Sequence, residues 1–428
     1  MTLASLSLGS HSITAKYNGD SNYTASSSAT LTHSVSQSGS STALVSNANP
    51  SSYGQAVAFT ATVQPSYGGT PTGSVTFFDG GTSLGSISLS GGSAQLTLSN
   101  LSLGAHSISA KYSGDSNFTA STSTSIAESV NQAGTATTVS SNANPSTYGQ
   151  VVAIIATVTP AYNGVPTGNV TFFDGSTSLG NANLSGGVAA FNTQATALVA
   201  GSHSITAKYN GDSHFLTSIS PAFVQTVGPA ATVTTLASNA NPSPIGKSVS
   251  FTAHVSSAVS GNLTGTVNFY LDGGTTPTAS VALSGGNAQY TTSSLSSGTH
   301  SLTAAFVSTN SNFNGSASTP LTQAITDFSI SASPVSDTIA RGSSGTYTLT
   351  LSPIGGLTGN VSLNCNGAPG STNCSISPSQ VTLNGTSSAQ TTVTVTADRN
   401  ASRGTYTLTL KGTSGSVTHS TTVSLTIN

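Results

Sequence analysis

Four histidines recur at nearly constant spacing and are the first residues to consider for chemistry. They are His11, His106, His203 and His300, and the intervals between them are 95, 97 and 97 residues. Histidine is a frequent metal ligand and general base. Neither role is expected here, because each histidine falls in a different domain, about 40 Å from the next, and no carboxylate neighbours it in sequence. We therefore predict no catalytic, metal or cofactor site.

Lysine and aspartate also recur together and could be interpreted as a base and its acid. The pairs are Lys16 and Asp20, Lys111 and Asp115, and Lys208 and Asp212. An aspartate in an Asn-Gly-Asp-Ser-type sequence usually caps a hairpin turn, and a surface ion pair contributes under about 1 kcal/mol. The fourth copy of the motif has Ala305 and Asn310 instead. We therefore assign Asp20, Asp115 and Asp212 to hairpin turns and expect the lysine to form a weak surface pair with each.

Three further aspartates lie in Asp-Gly turns. They are Asp79, Asp174 and Asp272. A calcium site needs several oxygen ligands that converge on one loop, and each of these loops offers a single carboxylate. We therefore expect no calcium site.

The two cysteines, Cys365 and Cys374, are nine positions apart with Pro and Gly between them. A turn there could bring two strands together, and closing so short a loop stabilises by about 2 to 3 kcal/mol in the chain-entropy model. Without histidine at ligand spacing, the pair does not resemble a zinc site. We predict a disulfide.

The composition excludes several classes of partner. Charged residues make up 4% of the 428 residues, with 8 Lys+Arg against 10 Asp+Glu, whereas about 25% is usual. Without a basic cluster, nucleic acid is not an expected partner. The longest apolar run, Val151–Ala156, is far shorter than the roughly 20 residues that cross a bilayer, so membrane insertion is not expected. This neutral, hydroxyl-rich surface suits an extracellular or cell-surface protein.

The residues around each histidine indicate a strand that enters a hairpin. Gly9–Ser26 has alternating apolar residues, the period of a half-buried strand. It returns three times, as Gly104–Ser121, Gly201–Ser218 and, more divergently, Gly298–Ser316. The strands predicted in the first complete repeat are Thr42–Ser46, Ala56–Gln64, Gly73–Phe78, Ser83–Leu89, Ser93–Leu98, His106–Tyr112 and Ser123–Val130. Seven strands separated by turns predict an all-β fold of tandem antiparallel β-sandwiches in an elongated array.

The repeat spacing also predicts the domain boundaries. We expect a partial repeat at 1–37, repeats at 38–132 and 133–228, a divergent repeat at 229–326 and a different sandwich at 327–428. Residues 1–37 correspond to only the last three strands of a repeat. Two explanations stay open: the chain is the C-terminal part of a longer secreted protein, or strands from another molecule complete the partial repeat. The second rests on the unpaired edges that three strands leave, and it predicts homotypic association through residues 1–37.

Three motifs that keep their order and spacing carry a family resemblance. They are Asn47–Pro50, Pro71–Gly80 and Lys111–Phe118. With these motifs, residues 1 to about 326 resemble the group 3 bacterial immunoglobulin-like domains, which occur in tandem in secreted and surface proteins. The last domain, through Val361–Cys365, Cys374–Pro378 and Gly404–Tyr406, is similar to the Ig-like modules appended to secreted bacterial hydrolases. Neither family supplies catalytic residues, so the resemblance implies spacer, display or adhesion roles.

The Ig-like fold offers a structural role for the histidines. In Ig-type sandwiches an aromatic residue near the start of the sixth strand hydrogen-bonds to backbone across a turn. The last domain has Tyr406 in an Arg-Gly-Thr-Tyr sequence, where the repeats have Leu-Gly-Ser-His or a similar sequence. We therefore assign His11, His106, His203, His300 and Tyr406 to structural corners.

Three functions follow as hypotheses. The first is a non-catalytic extracellular or cell-surface protein that acts as a spacer, display stalk or adhesin. The second is the C-terminal region of a secreted hydrolase that could bind polysaccharide, although Trp is absent from the sequence and most Tyr and Phe have the parity of core positions. The third is a filament or matrix subunit that is completed in trans at its partial repeat. The sequence does not identify the protein or polysaccharide surface that would be the partner.

Overall fold

The chain is all-β, which confirms the predicted fold class. The computed structural model describes Thr2 and residues 6–428, and no helix occurs among them. The chain folds into two compact units. The first comprises residues up to Ser146, Val151–Ala197 and Gly201–Thr226, and the second comprises Thr147–Gln150, Leu198–Ala200 and Val227–Asn428. The predicted start of the partial repeat, residues 1–5, lies outside the described residues apart from Thr2.

The described residues of the partial repeat form four short strands. They are β1 (Gly9–Ile13), β2 (Lys16–Tyr17), β3 (Ser26–Ser27) and β4 (Leu31–Val35). Strand β1 pairs with β4, and β2 pairs with β3, both antiparallel.

The first complete repeat has nine strands that form two sheets. They are β5 (Ser40–Ser46), β6 (Ser51–Ser52), β7 (Val57–Pro65), β8 (Ser74–Asp79), β9 (Thr82–Ser88), β10 (Ser93–Leu98), β11 (Gly104–Tyr112), β12 (Ser121–Thr122) and β13 (Ile126–Asn131). One sheet has the order β10-β7-β5, and the other has the order β6-β13-β11-β8-β9 with β12 beside β11. The two-residue strands β6 and β12 are additions to the seven predicted strands.

The predicted start of the last strand of this repeat is wrong: the strand begins at Ile126 and not at Ser123. At Ser123 a side chain takes the place of a backbone hydrogen bond between strands. The amide of Ala110 donates to the Ser123 hydroxyl at 3.0 Å, while the amide of Ser123 donates to the carbonyl of Ala110 at 2.9 Å.

The next two repeats have the same plan. The second contains β14 (Thr135–Ser141), β15 (Ser146–Thr147), β16 (Ala153–Pro160), β17 (Asn169–Asp174), β18 (Thr177–Asn183), β19 (Val188–Asn192), β20 (Gly201–Tyr209), β21 (Ser218–Ile219) and β22 (Phe223–Gly228). The third contains β23 (Val233–Ser238), β24 (Ser243–Pro244), β25 (Val249–Ser256), β26 (Gly265–Leu271), β27 (Ala279–Ala282), β28 (Asn287–Thr292), β29 (Gly298–Ser308), β30 (Ser316–Ala317) and β31 (Leu321–Ser333). The sixth long strand of each repeat, β11, β20 or β29, lies in the middle of the larger sheet.

The C-terminal domain is joined to the third repeat without a linker. Its strands are β32 (Ser336–Ile339), β33 (Ser344–Ile354), β34 (Thr358–Asn366), β35 (Thr372–Ser377), β36 (Gln380–Asn384), β37 (Ala389–Ala397), β38 (Gly404–Ser414) and β39 (Val417–Ile427). Strand β31 pairs with β29 through its first half and with β33 through its second half. The predicted boundary at 326/327 therefore falls inside one continuous strand of the second unit.

Each complete repeat encloses its own core, built from alternating residues of both sheets. In the first, Phe59 of β7, Phe77 of β8, and Ile108 and Tyr112 of β11 are all fully buried. Burial of an aliphatic or aromatic side chain stabilises by about 1.5 to 3 kcal/mol. The inward face of the sixth strand is thus the centre of each sandwich.

Each complete repeat has a buried polar residue at the same position. It is a glutamine in the second and third repeats and a glutamate in the first. Gln225 Nε2 donates to the carbonyl of Ala143 at 2.8 Å, and Gln323 Nε2 donates to the carbonyl of Ala240 at 2.9 Å. The first repeat has the fully buried Glu128: its Oε1 accepts from the Ser51 hydroxyl at 2.9 Å, and its Oε2 has no hydrogen-bond partner. A carboxylate cannot supply the donor that the glutamines supply.

We expect Glu128→Gln to stabilise the first repeat by about 1 kcal/mol, because the amide provides the missing donor. The reverse exchange, Gln225→Glu, should destabilise the second repeat by about 1 to 3 kcal/mol. Hydrogen exchange of amides in β11 and β20 reports each repeat separately. A slower exchange in β20 of the Gln225→Glu variant would contradict this explanation.

Candidate functional site

The corner residues occupy equivalent positions and bond to backbone four residues earlier. His106 Nε2 lies 2.9 Å from the carbonyl of Ser102, and His300 Nε2 lies 2.9 Å from the carbonyl of Ser296. His11 Nε2 likewise contacts the carbonyl of Ser7. In the C-terminal domain the Tyr406 hydroxyl donates to the carbonyl of Ser402 at 3.1 Å. Since a carbonyl only accepts, each ring nitrogen or hydroxyl named here is the donor.

The opposite ring nitrogen of three of these histidines contacts a carboxylate. His106 Nδ1 lies 2.7 Å from Asp79 Oδ2, 27 positions away in the chain. The same contact joins His203 to Asp174 at 2.6 Å and His300 to Asp272 at 2.8 Å. Sequence reasoning missed these pairs, because it placed the aspartates in turns and looked for carboxylates only beside the histidines. A nearly constant separation of histidine and aspartate in the sequence could have indicated the pairs, since it is 27, 29 and 28 residues in the three repeats.

Strand pairing produces the contact. Asp79 ends β8 and is opposite Ile108 of β11, two residues beyond His106. Its other oxygen, Oδ1, accepts from the amide of Ser107 at 3.0 Å. The aspartate therefore fixes both the end of its own strand, β8, and the start of the neighbouring strand, β11.

The pairing raises the pKa of two of these histidines, His106 and His300. The hydrogen bond with Asp79, followed by the bond to the Ser102 carbonyl, raises the pKa of His106 above its ordinary value. Burial acts to lower the pKa of His300, but the bonds to Asp272 and Ser296 outweigh it and the pKa is raised. Burial likewise opposes the effect of His300 on Asp272, and the pKa of that carboxyl is nonetheless lowered.

This arrangement serves shape better than chemistry. In His106 and His300 both ring nitrogens are bonded to protein groups, so neither is available to a substrate or a metal. Within the described residues, no three His, Cys, Asp or Glu side chains lie close enough together to hold a metal ion.

The hairpin aspartates cap their turns through one oxygen. Asp115 Oδ1 accepts from the amides of Asn117 and Phe118 at 2.7 and 2.9 Å. Asp212 does the same with His214 and Phe215 at 2.7 and 2.8 Å, and Asp20 with Asn22 and Tyr23 at 2.8 and 2.9 Å. Each aspartate thereby sets the loop that presents an aromatic residue three positions later.

The second oxygen binds a threonine in the first two complete repeats and a tyrosine in the partial one. Asp115 Oδ2 accepts from the amide and the hydroxyl of Thr72 at 2.8 and 2.6 Å. Asp20 Oδ2 instead accepts from the Tyr17 hydroxyl at 2.7 Å. Although burial acts to raise it, donors from Thr72, Asn117 and Phe118 lower the pKa of Asp115. A similar set around Asp212, again against the effect of burial, lowers its pKa to about 2.

The expected lysine–aspartate surface pairs are wrong. The ion pairs in the described part of the chain all join a histidine to an aspartate, and none includes Lys16, Lys111 or Lys208. In the complete repeats, backbone and threonine donors already occupy both oxygens of each hairpin aspartate.

Each capped loop also holds the start of its repeat. Gln132 Nε2 donates to the carbonyls of Asp212 and Ser213 at 2.8 and 3.3 Å, and the amide of Ala133 donates to the carbonyl of His214 at 2.9 Å. Gln37 and Ser38 make the same contacts with the loop of Asp115. The residues that precede the first strand of a repeat are thus hydrogen-bonded to a loop near the end of the same repeat.

A tyrosine from the preceding repeat packs on the aromatic residue of this loop. In the first unit the Tyr53 ring lies 5.7 Å from that of Phe215, edge to face, and 4.4 Å from that of His214. In the second unit Tyr148 lies 5.5 Å from Phe313. Such aromatic pairs contribute about 0.5 to 1.5 kcal/mol beyond their buried area. We call Tyr53 and Tyr148 the junction tyrosines; sequence reasoning missed them, although both follow an Asn-Pro by three positions.

Close approach at the junction requires a glycine. A Cβ on Gly164 would lie 2.7 Å from the Phe215 ring and 3.4 Å from Tyr53, and φ there is +131°.

The third repeat has Ile245 at the tyrosine position, and it packs against the core of the C-terminal domain. Next to it, Asp327 Oδ1 lies 2.6 Å from His419 Nε2. Junctions inside both units are therefore packed and not merely tethered.

The two cysteines of the C-terminal domain are joined. The Cys365–Cys374 disulfide has a Cα–Cα distance of 6.2 Å and links β34 to β35, which belong to different sheets. Its role is to hold the two sheets together.

The His–Asp pairs predict how stability depends on pH. Because the folded-state pKa of His106 and His300 is raised, their contribution is complete below the ordinary pKa of about 6.5 and is lost as the pH rises through the raised value. Asp212, with a folded pKa of about 2, contributes above the ordinary value of about 3.9 and loses this contribution as the pH falls towards 2. Chemical denaturation across this range should show both declines. In Asp79→Asn, an NMR titration should show a lower pKa of His106 than in the unaltered chain, because the largest cause of the raised pKa is removed. An unchanged pKa would contradict the pairing.

Two fully buried tyrosines, Tyr112 and Tyr347, differ in what their hydroxyls contact. The Tyr112 hydroxyl is buried close to Asp115 but makes no hydrogen bond of regular geometry, and the third repeat has the buried Phe306 at this position. We expect Tyr112→Phe to cause little loss of stability. Tyr347 is the matched control, since it is equally buried but donates to the carbonyl of Ser424 at 2.9 Å. Tyr347→Phe should cost about 1 to 2 kcal/mol, and equal effects of the two changes in denaturant titrations would contradict this distinction.

Comparison with known proteins agrees with this geometry. The model of the bacterial Ig-like domain (group 3) matches residues 44–131, 138–228 and 235–326. No curated protein sequence matches the chain. Among solved structures, fibronectin(III)-like modules of Clostridium thermocellum CbhA are 20% identical over 44% of this chain and 90% of theirs, with a TM-score of 0.18.

Two other solved structures are similar at the same level. Domains of the surface-layer protein SbsC are 15% identical, covering 91% of this chain and 54% of that chain, with a TM-score of 0.23. A three-Ig structure of titin is 12% identical, covering 68% and 98%, with a TM-score of 0.33. Similarity at this level carries no functional information. Through three tandem repeats that together span more than half of its length, the chain belongs to the family of group 3 bacterial Ig-like domains.

Proposed function

We propose that this chain is a non-catalytic spacer in an extracellular or cell-surface protein, in which packed junctions keep neighbouring domains in a fixed orientation. The observation that carries the proposal is the recurring junction tyrosine: Tyr53 on Phe215 in the first unit and Tyr148 on Phe313 in the second. A chain that only strung binding domains together would not need these contacts.

Two further features support the proposal. The corner histidines His106 and His300 have no free ring nitrogen. The disulfide suits an oxidising environment outside the cell, and a neutral surface, with 4% charged residues in the sequence, suits the same location. Apart from these two features, no helix in the described part of the chain is both long and apolar enough to span a membrane.

The test is the relative orientation of the first two complete repeats in solution. Residual dipolar couplings from both repeats of the full chain should fit one alignment tensor, because Tyr53 holds them together. Tyr53→Ala should give two distinct tensors. Tyr67→Ala is the matched control, since that tyrosine lies in the same repeat but is 80% exposed, and it should leave the single tensor unchanged. Two tensors in the unaltered chain would overturn the proposal.

A further inference from the structure

An asparagine followed by a glycine lies at the junction of the first two complete repeats. The asparagines of the chain that precede a glycine are Asn18, Asn163, Asn210, Asn314, Asn366 and Asn384. Because glycine has no Cβ, the backbone amide after these asparagines is little hindered when it attacks the side-chain amide carbon. Asparagine is one of the thermolabile residues, and the structure determines which of these six can react.

Four of the six asparagines are held in place by hydrogen bonds. Asn384 Oδ1 accepts from two amides of its own turn at 3.0 and 2.8 Å. Asn210 Nδ2 donates to Asn169 Oδ1 at 2.6 Å and to a threonine hydroxyl at 2.9 Å. Asn314 and Asn366 are held through their backbones, the first by a bond from its amide at 2.8 Å and the second by its place in the paired strand β34. Since the side chain and the following amide must turn towards each other to react, these contacts slow the reaction.

Asn163 is not held in this way. Within the described residues, neither its side chain nor its backbone makes a hydrogen bond, and both Asn163 and Gly164 are exposed. Asn163 lines an open cleft of about 410 Å³, together with Tyr53 and His214 among others, so water reaches it. Asn18 is also exposed, but it belongs to the partial repeat and not to this junction.

The backbone of Asn163 is part of the packed junction between Tyr53 and Phe215. A Cβ on Gly54 of the first repeat would collide with the carbonyl oxygen of Asn163. The next residue, Gly164, lies against the Phe215 ring, since a Cβ there would be 2.7 Å from it. A change in the length of the main chain at this dipeptide therefore displaces groups that are in contact across the junction.

The junction of Tyr148 with Phe313 lacks this asparagine. There Gly261 lies against the Phe313 ring as Gly164 lies against Phe215, since a Cβ on Gly261 would be 2.6 Å from that ring. The residue before it is Ser260, which has no side-chain amide. The two junctions thus share the glycine and the aromatic contact and differ at the residue that would react.

We propose that Asn163 is a site of spontaneous deamidation and that its conversion to isoaspartate releases the junction of Tyr53 with Phe215. The amide nitrogen of Gly164 loses its proton and attacks Asn163 Cγ, while the side-chain nitrogen takes up a proton and leaves as ammonia. The product is a cyclic succinimide. Water then opens this ring at either carbonyl. One product is aspartate, and the other is isoaspartate, in which the main chain continues through the former side-chain carbon.

Isoaspartate changes the junction in two ways. The main chain becomes longer by one carbon atom, so Gly164 moves relative to the Phe215 ring. The former backbone carbonyl, next to Gly54, becomes a carboxylate, and a charged group loses hydration where it packs against a neighbour. Both changes act against the contact of Tyr53 with Phe215. This part of the inference rests on the proposed function, in which packed junctions keep neighbouring repeats in a fixed orientation.

The first experiment follows all six asparagines by peptide mass mapping while the full chain is warmed at mildly alkaline pH. Deamidation adds about 1 Da, and electron-based fragmentation distinguishes isoaspartate from aspartate. We expect Asn163 to convert about tenfold faster than Asn210 and Asn384, because two hydrogen bonds must break before either of those can react. Equal rates at Asn163 and Asn384 would overturn the assignment of the site.

The second experiment measures residual dipolar couplings on the separated isoaspartate form. We expect the first two complete repeats to need two alignment tensors in this form and one in the unreacted chain. Asn163→Ser, which copies Ser260 of the other junction, should keep one tensor after the same treatment. Asn163→Asp should also keep one, because it adds a charge without lengthening the main chain.

The outcomes distinguish this inference from the proposed function. A single tensor in the isoaspartate form would overturn the release of the junction and leave the spacer proposal standing. Two tensors in the unreacted chain would overturn the spacer proposal, while the rates at Asn163 would still decide the modification site. Two tensors in treated Asn163→Ser would mean that another modification loosens the junction, which contradicts the role given to Asn163.

Discussion

In each complete repeat, the inward side chains of one central strand are buried between two sheets, and the groups at both ends of that strand take their positions from this burial. In the first repeat these side chains are Ile108, Ala110 and Tyr112 of β11, all fully buried. At the start of the strand, the corner histidine bonds back to the preceding turn and across to the neighbouring strand. At its end, Asp115 caps the hairpin. Hydrophobic burial thus supplies the energy, and the few charges fix the ends.

Because the chain has so few charged residues, the separate roles of burial and of charge are easy to distinguish. With 18 charged side chains in 428 residues (8 Lys+Arg and 10 Asp+Glu), the surface is formed by hydroxyls and amides, whose hydrogen bonds contribute little net energy where they are exposed. The aspartates that are present recur at strand ends and loops, next to histidine or backbone donors. The capped loop then presents Phe215 to Tyr53, so a turn that serves its own repeat also forms the junction with the preceding one.

Much of the fold could be predicted from the sequence, because strand alternation is local and the repeats reveal it several times. The histidine corner followed from the comparison of His11 with Tyr406, which share a position relative to an alternating strand. The His106–Asp79 contact could not follow from local reasoning, since only the pairing of β8 with β11 brings residues 27 positions apart together. The prediction of lysine–aspartate pairs is wrong because other donors bind the carboxylate oxygens. One is a threonine distant in sequence, and the others are backbone amides of the turn itself. The sequence also did not predict that β31 is continuous, since the change in sequence pattern at Asp327 resembles a boundary between two domains.

Hydrogen exchange along the central strands tests most directly the claim that burial of this strand between two sheets holds each repeat together. The account predicts that amides of β11, β20 and β29 exchange slowly in all three complete repeats, while the amides of Thr14 and Lys16, at the same positions of the partial repeat, exchange rapidly. Equal protection of Lys16 and Lys111 in this chain would contradict the account, because among the described residues the central strand of the partial repeat has neither a second sheet nor a second neighbour.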